Sequence, residues 1–197
     1  MRAILVDWLV EVHAKFRLSP ETLFLCVNIL DRYCTIVHVK RSRLQLVGVT
    51  ALLLASKYEE IHPPEVRDFV YITDRAYTRQ DVLEMEQDIL HELKFHLTVA
   101  TAYPFLERYL QLVKASTLTK HCANYFLERT LQEHNFLDYR PSLTAVSAVI
   151  LAINNIEVIN YECRPKANPP GIVSDISYFE SYTNISDSNY YSYMYSL

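Results

Sequence analysis

The sequence predicts an all-α protein built as two tandem five-helix bundles. The first observation is the near absence of glycine. Only Gly48 and Gly171 occur in 197 residues, and no Asn-Gly or Asp-Gly pair is present to turn a β-hairpin. The second is a repeat. A shift of 97 residues lays Leu46–Ala55 over Leu143–Ala152, Ile29-Leu30-Asp31-Arg32 over Phe126-Leu127-Glu128-Arg129, and Trp8-Leu9 over Phe105-Leu106, as tandem copies of one unit require. The third is punctuation by Pro, Ser, Thr and Asp at ordinary helical intervals.

Each helix of the first copy follows from its breakers. Met1 to Phe16 ends near Leu18-Ser19-Pro20, and Ser19 as cap with Pro20 at the first position opens a second helix to about Val37. Ser42-Arg43-Leu44-Gln45 has the pattern of a capping box and opens a third helix to about Glu60. His62-Pro63-Pro64 breaks it, a short helix runs to Ile72, and Thr78 caps a fifth from Arg79 to Phe95. The third helix is apolar nearly all round, with Gly48, Thr50, Ala51 and Ala55 permitting close approach, and belongs at the centre of its bundle. The repeat boundary falls near Thr98 to Ala100, giving domains 1–99 and 100–197. Register weakens after about Asn154, and the Tyr-rich end, Tyr178 to Tyr195, either completes the last two helices or stays loosely ordered.

Composition excludes several function classes. Phosphate-cradling loops and the nucleophile elbow need clustered glycines. Cys26, Cys34, Cys122 and Cys163 form no C-x-x-C pair, so reduced, mostly buried thiols are expected. Arg2 followed by two acids is unlike a signal peptide, and the apolar run Leu46–Ala55 is half the length of a membrane span; an intracellular protein is expected. His91-Glu92-Leu93-Lys94-Phe95-His96 spaces its histidines by five, which separates them by about 140° on a helix and rules out one shared metal. Residues 1–99 hold 12 basic against 14 acidic side chains, and residues 100–197 hold 7 against 9, without the basic excess that nucleic acid demands. The sequon Asn184-Ile185-Ser186 carries no weight in such a chain.

The first helix has two apolar faces. Met1, Ile4, Leu5, Trp8 and Val12 share one, and Ala3, Val6, Leu9 and Val10 the other. Either both are buried, or the face carrying Trp8 and rimmed by Glu11 is a groove for a partner peptide. Arg2 falls toward the core and needs an acidic partner.

In order and spacing, MRAILVDWLVEV, ETLFLCVNILDRY, LQLVGVTALLLASKYEEIHPPEV, DFVYITDRAYT and MEQDILHELKF resemble the cyclin box, and HAKFRL and HELKF are most similar to mitotic B-type cyclins. The resemblance implies two cyclin-box folds and no catalysis by this chain: a regulatory subunit that binds and activates a cyclin-dependent kinase at G2/M, in nucleus and cytoplasm, without cofactor, metal, nucleic acid or membrane. It places Lys57 and Glu86, with the apolar Tyr58, Ile61, Leu90 and Leu97, against the kinase's regulatory helix; read from the residues alone, Lys57 and Glu86 form an internal ion pair or two solvated charges. It assigns Met1, Ile4, Leu5, Trp8, Glu11, Leu44 and Gln45 to a groove for Arg-x-Leu segments of substrates and inhibitors, and Arg2 with Asp31 to a buried structural pair. The chain opens at the methionine of the box, so a fragment lacking the preceding helix is expected. The alternative is a nucleic-acid-binding transcription-factor scaffold of the same fold.

Overall fold

The computed structural model describes residues 1–162, with side chains through Ile156, and these residues contain helices and no strand. The first copy folds as α1 (Arg2–Phe16), α2 (Pro20–Ile36), α3 (Leu44–Glu59), α4 (Val66–Ile72) and α5 (Arg79–Glu92). The second shows α6 (Ala102–Leu112), α7 (Thr117–Gln132) and α8 (Pro141–Glu162). The further helices expected of it, the Tyr-rich end and Cys163 lie outside the described residues.

α3 is the axis of the first bundle, because Leu46 through Ser56 are all buried. A helix apolar on every side loses area to water unless neighbours surround it, and α1, α2, α4 and α5 all pack on it. Gly48 is where α1 comes closest. A Cβ there would stand 2.9 Å from Leu5 Cδ1, so hydrogen at this position lets Leu5 sink against the helix.

The capping chemistry differs from the expectation at two places. Ser42 lies in a 3-10 turn, Arg41–Arg43, that feeds straight into α3, and no side chain caps that helix. Ser19 does precede α2, but its hydroxyl makes no cap bond either. Thr78 behaves as expected: its Oγ1 accepts from the Asp81 amide at 3.1 Å and Asp81 Oδ2 accepts from the Thr78 amide at 2.8 Å. α5 stops at Glu92, short of Phe95, because Lys94 and Phe95 take left-handed φ values of 51° and 58° and the Phe95 amide donates back to Leu90 O at 2.8 Å. The thiols also differ. Cys26 is buried, with burial pushing its thiol far up, while Cys122 is half-buried and Cys34 exposed.

The second core is built from Leu106, Leu110, Ala123, Leu127, Ala145, Ala148, Val149 and Ala152, joined by Phe24 of α2. The 97-residue shift carries buried onto buried: Leu9 onto Leu106, Leu30 onto Leu127, Ala51 onto Ala148. One pair breaks the rule. Asp31 maps onto Glu128, but Arg2, the partner of Asp31, maps onto Val99. Glu128 therefore keeps the acid of the first copy without its cation, and burial pushes its carboxyl up to about 7. Between its unfolded value near 4.5 and 7, the folded chain holds a proton that the unfolded chain releases, so stability falls as pH rises through that window. Glu128→Gln is expected to raise the melting temperature by several degrees at pH 8 and to have no such effect at pH 4; thermal melts at the two pH values check it.

Candidate partner-binding surfaces

The C-terminal turn of α3 and the end of α5 form one surface. Lys57 Nζ lies 2.6 Å from Glu86 Oε1, so the pair is internal, and the two side chains are unequally exposed at 43% and 12%. Glu86 is thus sheltered rather than solvated. Tyr58 OH shares a 2.6 Å hydrogen bond with Thr98 Oγ1. The same helix ends carry three apolar side chains with large free areas: Ile61 at 89% exposure, Phe95 at 73% and Tyr58 at 48%. Leu90 and Leu97 are half-buried and pack against the first core.

Glu60 closes the same turn of α3 from behind. Burial pushes its carboxyl up, but hydrogen bonds from the Thr22 hydroxyl and the Ser19 amide overcome this and hold it below the usual carboxylate range. The bonds measure 2.5 Å from Thr22 Oγ1 and 2.7 Å from the Ser19 amide. A carboxylate just beyond the end of α3 thus accepts from the amide of the residue preceding α2, the place an N3 side chain takes in a capping box.

The second surface lies along α1 and the start of α3. Met1 and Ile4 are exposed, Trp8 is half-buried against the core, Glu11 is exposed, and Leu44 and Gln45 are half-buried opposite. Leu5 departs from its expected place. At 8% exposure it is packed beneath Gly48 and contributes floor, not wall. Of the opposite face of α1, Val6, Leu9 and Val10 are buried while Ala3 is exposed.

Arg2 joins three helices. Its Nε and Nη2 donate to Asp31 Oδ1 and Oδ2 at 2.6 and 2.7 Å, and its Nη1 donates to Leu131 O at 2.8 Å and Gln132 O at 3.3 Å. Asp7 is turned elsewhere, accepting from Gln132 Nε2 at 2.8 Å. The Arg2 and Asp31 side chains keep 22% and 18% of their exposure, so the pair is partly rather than fully buried. Among the described residues no cluster of three metal-ligating side chains occurs.

Phe95, Thr98 and Glu60 were not singled out in the sequence. Phe95 is exposed just past α5, where Lys94 and Phe95 adopt left-handed backbone, which hydrophobic periodicity does not reveal. Glu60 had one sequence signal, an acid just beyond a helix end, but its target lies 41 residues away.

The described helices can be set beside known proteins. Residues 1–98 match the family model for the cyclin N-terminal domain and residues 100–169 that for the cyclin C-terminal domain. Cyclin-B1-3 of Arabidopsis thaliana is 51% identical over 152 residues, covering 77% of this chain and 37% of that protein. The G2/mitotic-specific cyclin S13-7 of Glycine max is 49% identical over 152 residues, with 77% of this chain and 59% of that protein covered. This chain therefore spans between about a third and three-fifths of the length of such relatives. Among solved structures, a viral cyclin from herpesvirus saimiri superposes with a TM-score of 0.72 at 25% identity over 93% of this chain and 77% of that one. A chain of the CAK complex of Chaetomium thermophilum shares the fold, with a TM-score of 0.60 at 16% identity over 84% of this chain and 57% of that one. With family models matching both repeats and B-type relatives half identical across the helices, this chain belongs to the cyclin family.

Proposed function

We propose that this chain is the regulatory subunit of a cyclin-dependent serine/threonine kinase, which it activates allosterically at G2/M while performing no reaction itself. The observation that carries the reading is the α3–α5 surface: a charged pair, Lys57 and Glu86, framed by exposed Tyr58, Ile61 and Phe95. Such a frame suits a partner helix. Apolar side chains remove area from water, and the two charges offer donors to carbonyls and acceptors to amides at its edge. Kinase catalysis needs the strand lysine and regulatory-helix glutamate to pair around ATP. A protein that binds the inward position of that helix better than the outward one shifts the population toward the active arrangement. Moving the balance from 1:99 to 99:1 takes about 5.5 kcal/mol of differential affinity, within reach of an ordinary protein–protein contact.

The family and the relatives named above support the role of kinase regulator; nucleus and cytoplasm as its place of work belongs to the proposal alone. Its test is to add the purified chain to an inactive monomeric cyclin-dependent kinase and follow phosphorylation of a histone substrate. A rise in rate of orders of magnitude is expected, and failure of the two proteins to associate would end the reading.

The α1–α3 groove is the second part of the proposal. Met1, Ile4 and Trp8 offer an apolar trough for the leucine of an Arg-x-Leu segment, and the exposed Glu11 offers a carboxylate for its arginine. Trp8→Ala is expected to weaken such peptides by about tenfold or more, an ordinary cost for an aromatic anchor. Kinase activity on a short substrate lacking the motif should be unchanged. Peptide titration beside a minimal-substrate assay separates the two, and equal loss in both would make Trp8 a core residue.

A further inference from the structure

Ile61 stands almost free of the molecule at 89% exposure, so no packing of its own fixes its position. What fixes it is the chain on either side. After it come Pro63 and Pro64, whose rings lock φ. Before it comes Glu60, the last residue of the α3 turn, whose amide donates to Ser56 O at 2.9 Å and whose carboxylate accepts from the Ser19 amide and the Thr22 hydroxyl at 2.7 and 2.5 Å. The receiving end is rigid. Thr22 is fully buried, and Ser19 O accepts from His13 Nε2 at 2.8 Å, with His13 itself 1% exposed. The end of α3 is thereby tied to both α1 and α2. Lys57 and Tyr58, one turn earlier, are tied on the other side to Glu86 and Thr98.

We infer that Glu60 is a positioning residue of the partner surface: its carboxylate, seated on the Ser19 amide and the Thr22 hydroxyl, holds Tyr58 and Ile61 where the partner helix meets them. The inference rests on the kinase-binding function proposed above. Its physical basis is pre-organisation. A surface already held in its bound geometry does not lose that freedom on association, and an exposed isoleucine at a loosened helix end would. Thr22 reports on the anchor cleanly, because it is fully buried and no partner reaches it.

The test compares wild type, Thr22→Val, Thr22→Ser and Glu60→Gln for the concentration that half-maximally activates the kinase, together with amide hydrogen exchange at Glu60. Thr22→Val removes the hydroxyl at nearly constant volume. It should raise the half-activating concentration about tenfold, leave the plateau rate unchanged and speed exchange at Glu60. Thr22→Ser should restore all three. A Thr22→Val chain that is folded at the assay temperature yet activates at the wild-type concentration overturns the inference, even if its melting temperature has dropped, since that is the signature of a merely structural bond. Should Thr22→Val not fold, Glu60→Gln carries the test, with a smaller rise expected and a wild-type concentration counting against it. If the wild-type chain itself fails to activate, the functional proposal falls, and exchange at Glu60, unchanged in Thr22→Val or Glu60→Gln, would sink the anchor independently.

Discussion

Replacing Lys57 and Glu86 together by alanine is expected to reduce kinase activation by at least about a hundredfold while leaving the helical fold intact. The fold should survive because the two groups satisfy each other at 2.6 Å, so removing both leaves no orphan charge. An ion pair with one half-exposed member contributes about 1 kcal/mol or less to stability. Binding should suffer because, in the proposed function, each group supplies a charge-assisted hydrogen bond to the partner's backbone, about 1.5–3 kcal/mol apiece, and two such losses would amount to roughly two to four decades in affinity. The single variants differ by burial. Lys57→Ala strands Glu86, whose side chain is only 12% exposed, whereas Glu86→Ala leaves a lysine at 43% in contact with water; Lys57→Ala should be the less stable. Exchanging the two charges, Lys57→Glu with Glu86→Lys, keeps the internal attraction but inverts what is offered to the partner. It should also fail to activate. Activation assays run beside thermal melts decide the matter, and full activity in the exchanged protein would reduce the pair to an internal brace.

The largest loss of stability should come from Arg2→Ala. This change leaves Asp31 without its bidentate partner and removes a donor from Leu131 O and Gln132 O. Breaking a buried pair from one side costs about 3–5 kcal/mol. The remaining exposure of these groups, 22% and 18%, puts the expected value near the lower end, about 3 kcal/mol, which lowers the melting temperature by roughly 6–12 °C in a chain of this size. Because the two residues form one network, Arg2→Ala with Asp31→Ala should cost less than the sum of the single changes. A melt of Arg2→Ala indistinguishable from wild type would show that the guanidinium spans the helices without holding them.

The helices of the first copy were legible because their signals are local. Pro20, the Pro63-Pro64 pair and the Thr78–Asp81 box sit at the boundaries they specify, and the all-apolar α3 could lie only at a centre. The duplication was legible because packing preserves side-chain size at Leu9 and Leu106, and at Leu30 and Leu127, long after other positions have diverged. What stayed hidden involves partners distant in sequence or unusual backbone. Nothing near Glu60 indicates that its carboxylate reaches back to Ser19, and nothing near Lys94 or Phe95 announces left-handed residues. The roles proposed for the site residues come from their resemblance to a family, not from residue chemistry. Residue chemistry alone left Lys57 and Glu86 as either an internal ion pair or two solvated charges, and within this chain they pair.

Phe24 belongs to α2 of the first copy, yet it is 4% exposed within the core of the second and lies 5.8 Å from the ring of Tyr103. The duplicated halves are consequently not interchangeable parts. A chain cut after residue 99 would present that phenylalanine to water together with the flank of α2 that α6 covers, and the liberated half should clump rather than circulate as a smaller working copy.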